Sequence, residues 1–179
     1  MKKFLLFSVL LSYGLLLAEN GRADALDDRI LSFQADLRDL PSSRYDSLFS
    51  AVLPVWSQQT DSAMHRQLVG KLIVHAKQAS DQHTQAALLY ASGWFYRHLI
   101  ANYARSLYHY QQAFDKAEAA KDRVLMANAM LRSMETFIEL GSFDAALQYL
   151  FKAEAVFQKY NYEGFRSVTN SLFGIGQFF

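Results

Sequence analysis

Apolar side chains recur at helical spacing through almost the whole chain. The clearest instance is Tyr103, Ser106, Tyr110 and Ala113, which read aromatic, small, bulky, small at offsets 0, 3, 7 and 10. The same order returns forty residues later as Phe143, Ala146, Leu150 and Ala153. Offsets of three and four place each set on one stripe of a helix. The same periodicity predicts helices over 26–40, 43–58, 60–79, 81–99, 103–119, 122–140, 143–159 and 164–179, with no strand of any length. Pro41-Ser42-Ser43, Thr60-Asp61 and Asp81 stand where helix starts are expected, because their side-chain oxygens can accept from free N–H groups of a first turn. Pro54 lies inside the second predicted helix and is expected to kink or split it. The hinges Ala101-Asn102, Lys121-Asp122, Gly141-Ser142 and Asn161-Tyr162 are short, which makes consecutive helices antiparallel neighbours.

Composition agrees with a packed helical chain. The 179 residues suffice for a sizeable core. Ten Tyr and fourteen Phe argue against disorder, and the abundance of Ala, Gln and Leu over β-branched residues favours helix. There is no Cys, so the fold rests on packing without disulfides.

The first residues carry a different signal. Lys2 and Lys3 precede an apolar run from Phe4 to Ala18, followed by polar residues and the triplet Ala23-Asp24-Ala25. A basic start, an apolar stretch and an A-x-A ending describe a secretory signal peptide; a short membrane anchor, or an earlier cut at Ala18, is the competing reading. The expected organisation is a leader over 1–25, N-terminal helices over 26–59, and helical repeats over 60–179 with the last repeat incomplete. The product is expected to be exported, periplasmic or secreted.

Charge narrows the partners. Beyond residue 25 the chain holds equal numbers of basic and acidic residues, fifteen of each. Nucleic-acid binding needs a basic stripe to neutralise phosphates, and none is present. A membrane role is expected only if a transmembrane segment follows residue 179 in a longer protein. His65, His75, His83, His98 and His109 contain no i, i+4 pair and no H-E-x-x-H, so no metal site is predicted. G-x-S-x-G and a reactive Cys are missing as well. Gly174-Ile175-Gly176 is too short for a phosphate cradle. The reading is of a chain that is not an enzyme and uses no cofactor.

The segment from Ala127 to Ala153 resembles a tetratricopeptide repeat. Met130 fills the first large site of helix A, Phe137 its aromatic, and Leu140-Gly141-Ser142-Phe143-Asp144 the turn. Ala146, Leu150 and Ala153 fill helix B, while Ser133 and Met134 depart from the family's usual Leu-Gly pair. The preceding unit is similar, with Leu89, Ser92-Gly93 and Tyr96, then Tyr103, Ser106, Tyr110 and Ala113. A third unit begins with Leu172, Ile175-Gly176 and Phe179. The resemblance implies an all-α fold, with antiparallel helical hairpins stacked as a right-handed α-solenoid. An apolar end from Ser171 to Phe179 leads to the expectation of self-association there, or of a longer parent protein.

The resemblance also implies a concave face. By the family's pattern, Tyr90, Trp94 and Arg97 of one helix A face that groove, joined by Asn128, Leu131, Glu135, Ile138 and Glu139 of the next. Core packing at helical spacing accounts for most of the other aromatic residues. These eight would suit a protein or peptide partner, so the expected function is a non-catalytic scaffold. Exported repeats of this kind also look like the periplasmic sensory regions of bacterial membrane-bound histidine kinases, which is the alternative expectation.

Overall fold

The computed structural model describes residues 23–57 and 62–160. Residues 1–22 of the leader expected over 1–25, the cap expected at Thr60-Asp61 and the predicted last helix over 164–179 lie outside them. Among the described residues the chain is all-α, with no strand. The helices are α1 (Ala23–Asp39), α2 (Tyr45–Ser57), α3 (Ser62–Gln78), α4 (Gln82–His98), α5 (Tyr103–Ala119), α6 (Arg123–Glu139) and α7 (Phe143–Tyr160). A short 3-10 turn, Ser42–Arg44, leads into α2. Helix α1 includes Ala23, Asp24 and Ala25, the last three residues of the expected leader.

The middle of the chain is built on a repeated punctuation. Helices α4, α5 and α6 are each 17 residues long. Asp81 accepts from the Thr84 amide at 2.7 Å, Asn102 from Arg105 at 3.1 Å and Asp122 from Leu125 at 3.0 Å, so each helix starts on a side-chain cap. Each is followed by a residue with left-handed backbone: Ala101 at φ 54°, Lys121 at 58° and Gly141 at 67°. Beyond these residues, the Asp122 and Ser142 amides reach back to the carbonyls of Ala117 and Phe137, both at 2.9 Å. These are Schellman closures, which satisfy otherwise orphaned carbonyls. The turn after α4 is one residue longer, and there the Asn102 amide reaches Tyr96 O.

Helix α4 lies at the centre, with nearly every side chain from Thr84 to Tyr96 buried. It packs on α3 and α5, its neighbours in sequence, and on α1 and α2. One continuous core joins Ile30, Phe33 and Leu37 of α1, Phe49, Val52 and Trp56 of α2, Leu72 of α3, and Leu125 and Met126 of α6. Its aromatic centre has ring centroids 5.7 Å apart for Phe33–Phe49, 5.5 Å for Phe49–Trp94 and 4.6 Å for Trp56–Phe95. The N-terminal helices are therefore part of the same core as the repeat-like helices.

Two sequence expectations meet their outcome here. The first concerns the repeated stripe: Ser106, Tyr110 and Ala113, and Ala146, Leu150 and Ala153, are buried, but Phe143 is exposed. The second concerns Pro54, which sits inside α2 without ending it, the helix running on to Ser57. Proline there removes one hydrogen bond near the helix end, and the Ser57 hydroxyl donates to the Pro54 carbonyl at 3.1 Å.

Candidate partner-binding surface

The eight residues expected on one open face divide into three groups. Tyr90 and Trp94 are 0% and 5% exposed. Both lie beneath α2, where Phe49 stands 5.6 Å from the Tyr90 ring and 5.5 Å from that of Trp94, centroid to centroid. The expectation that they present themselves to a partner is corrected: the chain's own second helix already covers them. Burying Phe49 against both rings removes large apolar surfaces from water.

The polar ends of the cover are as specific as its apolar middle. Asp46, in the first turn of α2, accepts from the Tyr90 hydroxyl at 2.5 Å and from Arg132 Nη2 at 2.8 Å. Arg132 Nη1 donates to Glu135 at 2.5 Å, and the same carboxylate oxygen accepts from Arg97 Nη1 at 2.9 Å. Arg97 then holds Glu139 through two bonds, at 2.6 and 3.0 Å. The result is an unbroken line Tyr90–Asp46–Arg132–Glu135–Arg97–Glu139 across α2, α4 and α6. Paired guanidinium forks of this kind orient both partners.

The electrostatics follow from that line. Burial opposes the charge on Arg97, but its bonds to Glu139 and Glu135 outweigh it and raise its pKa. Arg132 behaves alike, with Tyr90, Asp46 and Glu135 outweighing burial. The hydrogen bond from Arg97 holds Glu139 below the usual carboxylate range. Burial, reinforced by Asp46, pushes the Tyr90 phenol well up. His98 lies over Trp94 with ring centroids 4.0 Å apart, and burial and then Arg97 lower its pKa.

A second polar clamp fixes the start of the cover. Asn128, the fourth of the expected residues, donates to the Ser42 carbonyl at 3.1 Å. The Ser42 hydroxyl donates to Asp122, and His83 Nδ1 stands 3.1 Å from the same carboxylate oxygen. His83 Nε2 lies 3.1 Å from the Tyr45 hydroxyl, which donates to the Leu37 carbonyl at 2.7 Å. Burial raises the Tyr45 pKa to about 12. Ser, His and Asp are thus gathered, but the connectivity is not that of an activated nucleophile. In such a triad the hydroxyl gives its proton to the imidazole, whereas here it goes directly to the carboxylate.

The remaining residues form the accessible part. Leu131 and Ile138 are half-buried, packed against Met134, Ala146 and Leu150. Arg97 and Glu135 are half-buried and Glu139 is exposed. Chemically this strip offers apolar contact along α6 and a carboxylate-rich edge, with both arginines already engaged. Among the described residues no group of three or more His, Cys, Asp or Glu is placed to hold a metal ion, and no helix is long and apolar enough to cross a membrane.

Sequence reasoning missed Asp46, Arg132, Ser42 and His83. Asp46 and Arg132 are 86 positions apart, and nothing local distinguishes an acid in a first helical turn that will meet a distant arginine from one that stays in water. No protein-family model, no characterised protein and no solved structure matches the chain.

Proposed function

We propose that the protein is an exported, non-catalytic scaffold of the tetratricopeptide type, whose helices stack as a right-handed α-solenoid and which binds a protein or peptide segment. The observation that carries this reading is the recurring punctuation of α4, α5 and α6: equal lengths, Asp or Asn caps, and left-handed residues at 101, 121 and 141. Such regularity is what a chain of nearest-neighbour modules needs. Binding is assigned to the strip of α6 bearing Leu131, Glu135, Ile138 and Glu139 with the Arg97 end of α4, because α2 closes the Tyr90 and Trp94 end. The strip suits a segment with apolar anchors over Leu131 and Ile138 and a basic residue toward Glu139.

Selection of a displayed random dodecapeptide library on the full chain tests this. Enriched peptides should pair apolar and basic residues and lose at least tenfold in affinity for Leu131→Asp/Ile138→Asp. Equal binding to that variant, at unchanged helical content, overturns the assignment. Export is tested separately by fusing a periplasm-dependent β-lactamase after residue 40 in a Gram-negative host: ampicillin resistance is the expected result, and sensitivity refutes export.

A further inference from the structure

Helix α7 carries an apolar ladder on a side that the described residues leave open. Phe143, Leu147 and Phe151 are 57%, 46% and 56% exposed, and Leu140 in the preceding turn is 46% exposed. Spacing of four puts the three on one side of the helix, adjacent to the Ala146, Leu150 and Ala153 side, which is buried. Single exposed apolar residues are ordinary, but a contiguous row of them signals a face that something covers.

The module before it shows what that side does. Forty residues earlier the same positions in α5 are Tyr103, Leu107 and Gln111. Phe114, one turn further along that side, packs against Ala127 and Met130 of α6 and Ala153 of α7. Gln111 itself accepts from the Tyr149 hydroxyl of α7 at 2.6 Å. Tyr103 and Leu107 are half-buried. On α5, then, this is the side that receives the helices following in sequence. The chain continues after α7 with Phe165, Val168, Leu172, Ile175 and Phe179, at offsets 0, 3, 7, 10 and 14, a single helical stripe. The hinge expected from the sequence at Asn161-Tyr162 follows those at Lys121-Asp122 and Gly141-Ser142 by the same twenty-residue step that separates those two.

We propose that the α7 ladder is the docking face for the chain's own segment 164–179, which covers Phe143, Leu147 and Phe151 as α6 and α7 cover α5. The proposal rests on the modular reading of the fold but not on capture of any partner, so failure of peptide selection leaves it standing.

Because the chain has no Cys, Leu147→Cys provides a single thiol whose maleimide labelling rate reports cover. Ser62→Cys, at the exposed start of α3, is the reference. The expected result is labelling at least tenfold slower than the reference, independent of protein concentration. The rate should return to the reference in the Leu172→Asp/Ile175→Asp background with helical content retained. Phe151→Cys repeats the measurement should Leu147→Cys perturb folding. Labelling at the reference rate in the unaltered background overturns the proposal. So does protection that grows with protein concentration, which would place a second copy on the ladder, or protection that survives the double substitution.

Discussion

Gly93 and Tyr110 meet so closely that a Cβ on Gly93 would stand 2.7 Å from Cδ1 of the tyrosine ring and 3.1 Å from the Ser106 carbonyl oxygen. The residues aligned with them in sequence in the following helix pair, Met134 and Leu150, share a small core cluster with Ala146. A glycine beneath a tyrosine has become a methionine beside a leucine, so bulk that one helix carries alone in the first pair is shared by both helices in the second, each pair filling its own interface.

Gly93→Ala should therefore destabilise the fold. Helix propensity alone would favour alanine by about 1 kcal/mol. Overpacking against a ring that is fully buried should reverse the sign and cost about 1–3 kcal/mol in urea unfolding. Adding Tyr110→Leu to that variant should recover part of the loss. A stabilised single variant would show that the two helices separate easily.

The left-handed turn residues give opposite signs at equivalent positions. Lys121 holds φ 58° with a side chain that disfavours it, and Gly141 holds 67° without one. Lys121→Gly should raise stability by about 0.5 kcal/mol and Gly141→Ala lower it by about 1 kcal/mol. Nothing lies within 4 Å of a Cβ built on Gly141, so thermal denaturation there would read backbone strain alone.

Removing the carboxylate that ties α2 to α4 and α6 should be costly. Asp46→Ala leaves the Tyr90 hydroxyl and two Arg132 nitrogens without their partner. The side chains of Asp46 and Arg132 remain 29% and 24% exposed, which limits the loss to about 2 kcal/mol. A double-mutant cycle with Arg132→Ala should return a coupling of about 1 kcal/mol; zero coupling would show the pair to be incidental.

Stability should fall on acidification through His109. Burial lowers its pKa from 6.5 to about 4, and its ring stacks on Tyr96 at 5.3 Å with 3° between planes. The unfolded chain binds this proton more readily than the folded one, so the contribution is complete above pH 6.5 and is lost as pH falls toward 4. Between pH 7 and 4.5 the loss from this residue is about 2 kcal/mol. His109→Phe should flatten that slope in denaturation measured across the window; an unchanged slope would assign it to other groups.

Trp94 should behave as a core residue. Trp94→Ala is expected to cost about 3 kcal/mol. Since Trp56 is also buried, acrylamide should quench the native fluorescence weakly. Strong quenching would place at least one indole in water.

Much of the fold was legible because the deciding interactions are local. A cap needs one oxygen and an amide three residues on, and a Schellman closure needs a handful of residues near Lys121 or Gly141. Predicted and observed helix limits accordingly agree within about three residues from α2 to α7. The candidate site was legible only in part. Tyr90 and Trp94 carry the same local pattern whether a partner, solvent or another helix of the chain lies over them.

The order of residues by itself determined the helical segments and the stripe of Ala146, Leu150 and Ala153 that packs inward. Tertiary structure alone decided that α2 covers α4, that Asp46 joins Tyr90 to Arg132, and that Arg97 spends its charge on Glu135 and Glu139. Periodicity states that a helix has an apolar side. Which element buries that side is set by the competition among several equally apolar helices for one core, and that competition is resolved only when the whole chain packs.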